Sequence, residues 1–174
     1  MNIKKINDEV FYSSNAVTKI SKEDIAWLRA RAAENPRKRV RLCGHRNIED
    51  LIHEMLIIHA KGIYVRPHKH LKKIESFHTI EGNLKVVVFD ESGGILEVIR
   101  MGDYLSGEIF YYRLSESYFH TVIPLSDFVV FHEITEGPFQ RKDTVFAPWA
   151  PADDEYESQK LYLNKLKTEI TRKG

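Results

Sequence analysis

Residues 62–82 read Gly-Ile-Tyr-Val-Arg-Pro-His-Lys-His-Leu-Lys-Lys-Ile-Glu-Ser-Phe-His-Thr-Ile-Glu-Gly. The fixed points are Gly62, His68, His70, Glu75 and Gly82, in the pattern G-x5-H-x-H-x4-E-x6-G. Side chains alternate along a strand, so His68 and His70 point to one face. Glu75 opens the next strand and turns back toward that face. Glu75, Phe77 and Thr79 then share a side, and His78 turns outward. Two imidazoles and a carboxylate suit a divalent first-row metal such as zinc, iron, manganese or nickel. A strand with surface histidines is the plainer alternative, but it leaves the flanking glycines and the glutamate unexplained.

The chain around this stretch is rich in short alternating segments. Val40 and Leu42 alternate with Arg39, Arg41 and Cys43, which reads as a strand. Residues 52–59 read as a second strand, leading through a Lys61-Gly62 turn into the motif. After Gly82 come Leu-Lys-Val-Val-Val-Phe, a turn at Asp90–Gly94, and Ile-Leu-Glu-Val-Ile-Arg. Further strands are expected near 108–114, 117–123 and 127–134, and a short one around Val10–Tyr12. Many short strands with regular turn signals predict an all-β sandwich or barrel. Ser21 and Asp24 form a capping-box pattern that opens a helix to about Glu34, with Ile25, Leu28 and Ala32 on one face. Pro36 stops it. A terminal helix is expected over 155–170, with Leu163, Leu166 and Ile170 on one stripe. The expected organisation is one domain: a helical extension over 1–38, a barrel over 39–152, and a C-terminal helix over 153–174.

Bulk properties narrow the function classes. At 174 residues the chain fits one domain with a substantial core, and 43% hydrophobic content argues against disorder. With 26 Lys and Arg against 25 Asp and Glu, no global field draws it to nucleic acid or to an anionic membrane. The single cysteine, Cys43, excludes an intramolecular disulfide and fits a reducing compartment. No apolar run is long enough to span a bilayer, and the N-terminus lacks the apolar stretch of a signal peptide. These features predict a cytoplasmic protein.

The 62–82 motif resembles the first conserved motif of the cupin superfamily, and it matches at all five fixed points. That resemblance implies a double-stranded β-helix, a small jelly-roll barrel, holding a metal through two His, one Glu and a third His from a later strand. His120, in Ser-Glu-Ser-Tyr-Phe-His-Thr-Val-Ile-Pro, is the matching third histidine. The second cupin motif carries Pro, Gly and Asn around that histidine; here those positions are Ser115, Ser117 and Pro124. A narrower likeness covers most of the chain. Residues 29–39, His45, 67–78, 132–139 and 146–151 resemble the WbuC family of cupin-fold metalloproteins, named after a protein encoded among surface-polysaccharide (O-antigen) genes. The implied ligand set is His68, His70, Glu75 and His120, around a divalent zinc, iron, manganese or nickel ion. Such a set leaves coordination positions open, which favours catalysis or ligand binding over a closed structural site.

Other residues are candidates for contacting a ligand. Arg66 and Tyr64 share parity with His68 and His70, so an anion contact and a hydroxyl are expected from them. Arg37, Arg39 and Arg41 alternate along their strand and project together, either to clamp an anion or as a solvated edge. His45, part of the WbuC-like pattern, is a possible pocket residue. His53, His59 and His132 read as structural, Cys43 as a small buried hydrophobe, and Trp149 as the anchor of the terminal helix. No catalytic residue is assigned. The expected function is a metal-binding cupin acting on a small polar or anionic molecule. The family context suggests a sugar or nucleotide-sugar intermediate of surface-polysaccharide assembly, with the metal as Lewis acid. A non-catalytic sugar- or anion-binding sensor and a metal-free sugar epimerase are the rivals. Edge strands and apolar faces make a homodimer the expected assembly.

Overall fold

The alternating segments build two sheets in the computed structural model, which describes residues 2–173. The first sheet has the order β1 (Ile3–Lys5), β2 (Val10–Ser13), β3 (Arg39–Cys43), β4 (Ile52–Ala60), β11 (Phe128–Glu136), β6 (Glu75–Glu81), β9 (Tyr111–Leu114). The second has the order β12 (Thr144–Phe146), β5 (His68–His70), β10 (Phe119–Pro124), β7 (Leu84–Phe89), β8 (Ile95–Met101). Antiparallel pairs nest about the β7–β8 hairpin: β6 with β9, β5 with β10, and β4 with β11. A long hairpin coiled in this way, with successive pairs alternating between two sheets, is a jelly roll of the cupin type, the double-stranded β-helix.

The inner faces of both sheets supply one core. Met55, Ile57, Phe77 and Phe131 from the first sheet meet Val86, Val88 and Val122 from the second. The outer face of the first sheet is covered by α1 (Lys22–Glu34), whose Leu28 and Ala32 pack on Val40, Leu42, Leu56 and Ile58. Ser21 caps this helix through the full capping box with Asp24, as its spacing predicts. The outer face of the second sheet is covered by α2 (Tyr156–Lys173), through Leu166 and Ile170 against Val87, Phe89 and Ile123. Trp149 bridges that helix to the sheet, its ring 6.4 Å from that of Tyr162. Its ring lies 5.1 Å from Phe89 and 5.7 Å from Phe119, and its indole N–H donates to the Glu91 carbonyl at 3.2 Å.

Two details differ from the sequence expectation. The strand expected around Val10–Tyr12 is β2, but it is joined by β1, and the two prolong the first sheet beyond β3, with β2 parallel to β3. β12, a three-residue strand, pairs with β5 and completes the second sheet beside the histidines. The motif glycines work as turns. Gly82 has φ +78°, and a Cβ there would lie 2.5 Å from the Phe128 carbonyl oxygen, so no other residue fits.

Candidate metal centre

β5 carries His68 and His70 on one face, as the strand period requires, and β10 places His120 directly opposite His68. One ring nitrogen from each of the three lies within 4.8 Å of those of the other two. Glu75 comes from the facing sheet and reaches two of them. Its Oε2 lies 3.3 Å from His70 Nε2, and its Oε1 lies 2.8 Å from His120 Nε2. Four side chains from three strands thus converge between the sheets. His78 is exposed on the outer side, beside Phe110, as alternation from Glu75 requires.

The second nitrogen of each ring is already engaged. His68 Nδ1 donates to the Arg66 carbonyl at 2.9 Å, and His120 Nδ1 donates to the Tyr118 carbonyl at 3.1 Å. A carbonyl can only accept, so neutral rings there keep their lone pairs on Nε2. His70 Nδ1 meets the Thr144 hydroxyl at 3.3 Å, a contact supplied by β12. Oxygen partners behind the rings fix both tautomer and orientation, as they do around metal-bound imidazoles.

The centre holds polar atoms with nothing to bind. Glu75 Oε1 and His120 Nε2 are buried without a hydrogen-bond partner; they are close, but not at the angle of a hydrogen bond. The Tyr112 hydroxyl, close enough to feel the Glu75 charge, is buried and unpartnered as well. Buried polar atoms rarely go unpaired, and a cluster of them calls for an ion, a water or a ligand. Electrostatics agree. Burial, reinforced by His120, pushes His68 down to about 3, so its ring is neutral. Burial opposes the charge of Glu75, yet His120 and His70 beside it draw its carboxyl below the usual carboxylate range. Burial likewise opposes charge on His120, but the Glu75 carboxylate outweighs it and raises the imidazole. The donor set is therefore one anion and three imidazoles, which fits a divalent transition ion.

The surrounding candidates divide. Arg41 lies on the inner face of the first sheet, exposed, and its guanidinium makes no hydrogen bond or ion pair among the described residues. His45 is buried at the same end of the barrel, stacked on His53 with centroids 4.0 Å apart and planes 8° apart, with Tyr12 edge-on at 5.2 Å. Arg66 stays beside the centre but is engaged. It donates to the Ala147 carbonyl at 3.2 Å and lies over Phe146, 5.2 Å from the ring centroid. Tyr64 and Arg39 are engaged elsewhere in the fold. The Tyr64 hydroxyl donates to the Pro151 carbonyl at 2.8 Å, and its ring packs on Tyr162 of α2. Parity with His68 does not carry back to Tyr64, because residues 63–67 are not strand. Arg39 shares the face of Arg41 but is held by Glu9 at 2.9 Å, while Arg37 binds Asp153 at 2.7 Å. Cys43 is buried, its thiol pushed up to about 11 by burial, and is no nucleophile.

Glu133 was not singled out by the sequence reading. On β11 it follows Val129 and Phe131 at even spacing, so it points inward. It is flanked by Met55 on β4 and Phe77 on β6. Its side chain makes no hydrogen bond or ion pair among the described residues. Burial, and then the Glu75 carboxylate, push its carboxyl up to about 8 against the pull of Arg41 and His120. The available signal was a lone carboxylate on the apolar face of Phe-Val-Val-Phe-His-Glu-Ile-Thr-Glu.

Comparison with known proteins supports the architecture. Residues 20–101 match the model of a domain family of unknown function, DUF6016. No curated protein matches the sequence. Protein SO0799 of Shewanella oneidensis is similar in structure, at a TM-score of 0.51 and 14% identity, over 61% of this chain and 72% of that one. Oxalate decarboxylase of Bacillus subtilis, a protein with Mn(II) centres, gives a TM-score of 0.45 at 19% identity, over 56% of this chain. The enzyme of Lactobacillus farciminis, in a formate complex, gives 0.45 at 16% identity. This chain spans about a quarter of the length of either decarboxylase, 24% and 27%. The likeness to SO0799 speaks for the fold alone, and the nested strand order above is what makes that fold a jelly roll of the cupin type.

Proposed function

We propose that the barrel is a metal centre in which His68, His70, Glu75 and His120 hold one divalent transition ion, zinc, iron, manganese or nickel, with a small polar or anionic molecule bound beside it. The observation that carries this reading is the convergence of the His120 Nε2 and Glu75 Oε1 atoms, buried and unpaired, with the His68 and His70 rings. Their outer nitrogens are already committed to backbone or hydroxyl oxygens. When bound, the ion would supply Lewis acidity to a ligand oxygen. This chain's own residues orient the imidazoles, exclude bulk water with the inner apolar core, and present Arg41 to negative charge. His45 lines the same end of the barrel and contributes a neutral ring, since burial lowers its pKa.

The likeness to the WbuC family supports a finer reading, in which the ligand is a sugar or nucleotide-sugar intermediate of surface-polysaccharide assembly. The buried, unpaired Cys43 suits a reducing, cytoplasmic setting, and no helix among the described residues is long and apolar enough to cross a membrane. The exposed edge strand β9 and the apolar residues Ile80, Phe110 and Tyr111 around it suit a homodimer. Metal analysis of the purified protein tests the central reading. Near-stoichiometric transition metal is expected in wild type and none in His68→Ala or His70→Ala. Equal metal in all three proteins would refute the ligand set. Turnover of a sugar nucleotide or 2-oxo acid that raises the melting temperature then separates an enzyme from a sensor.

A further inference from the structure

The seven-stranded sheet ends in β1, whose free edge borders a cleft of about 410 Å³ that none of the metal ligands lines. The cleft lies between the β1–β2 hairpin and α1. Phe11 and Trp27 meet on its wall, ring centroids 5.2 Å apart and planes at 74°, and the Arg31 guanidinium lies 5.4 Å over the indole. Trp27 is 36% exposed there. Ile3 and Lys5 line the cleft from β1. The Asn2 carbonyl accepts from the Ser14 N–H, and the Ile6 N–H donates to the Val10 carbonyl, both at 3.0 Å; between them Lys4 is in register with Tyr12. Bonding alternates along an antiparallel pair, so the even residues face β2, while Ile3 and Lys5 turn their N–H and C=O to the open side. Unpaired backbone groups beside a cleft that takes alternate side chains are the two parts of a strand-addition site.

We propose that β1 and this cleft receive an extended peptide of a partner protein, which adds a strand to the sheet and carries an acidic residue flanked by apolar ones. The apolar residues stand opposite Ile3 and Lys5, on the face of the cleft, and the larger of them packs on Trp27 and Phe11. The acidic residue lies between them, opposite Lys4. Lys5 and Arg31 are already matched by Asp8 and Glu34, at 2.6 and 3.0 Å, whereas Lys4 is exposed and has no ion pair among the described residues. The same charge argues against a second copy of this chain as the occupant. Pairing β1 with its own image about Lys4 sets Lys4 against Lys4, and like charges directly opposite destabilise a strand pair. Lysines on an edge guard a sheet against such self-pairing. The site is independent of the metal reading.

A library of dodecapeptides displayed on phage and selected on the purified full chain tests this. Enriched sequences are expected to alternate, with Asp or Glu between two apolar residues, one of them aromatic. The most enriched peptide, labelled with fluorescein, is then titrated by anisotropy against wild type, Trp27→Ala, Lys4→Glu and Ile3→Pro. Trp27→Ala should weaken it about 10-fold or more, as loss of an aromatic anchor does. Lys4→Glu should weaken it about three- to tenfold. Exchanging the peptide's acidic residue for lysine should restore affinity for Lys4→Glu, a rescue that a disrupted edge could not give. Ile3→Pro deletes an N–H on the open edge and should weaken binding too. No convergent enrichment on wild type overturns the inference. So does an enriched peptide that binds wild type, Trp27→Ala and Lys4→Glu equally. A wild-type dimer in sedimentation that Ile3→Pro dissociates overturns it as well, because the edge would then belong to a second copy.

Discussion

Replacing Glu133 with glutamine should stabilise the metal-free protein, and by an amount that grows with pH. In the folded chain its carboxyl is pushed up to about 8, while an unfolded glutamate titrates near 4.3. Between those values the folded state binds the proton more tightly, so stability falls as pH rises across that window and levels off above it. Each pH unit is worth about 1.4 kcal/mol, so the ionisable group costs roughly 3.5 kcal/mol at pH 7 and about 5 kcal/mol at pH 9. An amide has no charge to desolvate and fills the same space. Glu133→Gln should then match wild type at pH 4, exceed it by roughly 3.5 kcal/mol at pH 7, and exceed it further at pH 9. That difference is a large share of a domain's 5–15 kcal/mol or so. Urea unfolding in the presence of a chelator, at the three pH values and for both proteins, measures it, and the contributions of all other groups cancel in the subtraction. A difference that does not vary with pH would refute the placement of Glu133 inside the barrel.

Other outcomes follow from the same geometry. His120→Ala and Glu75→Gln should each weaken zinc binding by more than about 100-fold in a competition titration, whereas His78→Ala, on the outer face, should leave it unchanged. His59 is fully enclosed, and burial holds its imidazole at about 3. The unfolded chain therefore takes up a proton that the folded chain refuses, and stability drops as pH falls below about 6.5. His59→Leu should recover about 2 kcal/mol at pH 5 and nothing at pH 8, as read by denaturant midpoints. Phe131 is 1% exposed at the centre of the inner core, and Phe131→Ala should cost about 3–5 kcal/mol in the same assay.

The barrel and most of its centre were legible because both follow from alternation. Val40 and Leu42 against Arg39 and Arg41, or Glu75 against His78, take sides by period two, and the structure keeps those sides. The capping box at Ser21 likewise acts within one turn of chain. What was hidden depends on partners far apart in sequence. β1 and β12 are three residues each, too short to show a period, and exist because β2 and β5 offer them an edge. Tyr64 was misplaced because parity was extended through residues that are not strand. Arg39 and Arg41 are equivalent in the sequence pattern, and only the arrival of Glu9 from β2's approach separates the bound one from the free one. Glu133 sits on an expected strand, but the depth of that carboxyl comes from Met55 and Phe77 on neighbouring strands.

Anomalous diffraction from a crystal soaked in cobalt is the most direct test of the centre. One peak is expected between the sheets, about 2.0–2.3 Å from a ring nitrogen of His68, His70 and His120 and from a Glu75 oxygen. Density only at outer-face histidines such as His78 and His132, with the inner site empty of cobalt, would contradict it.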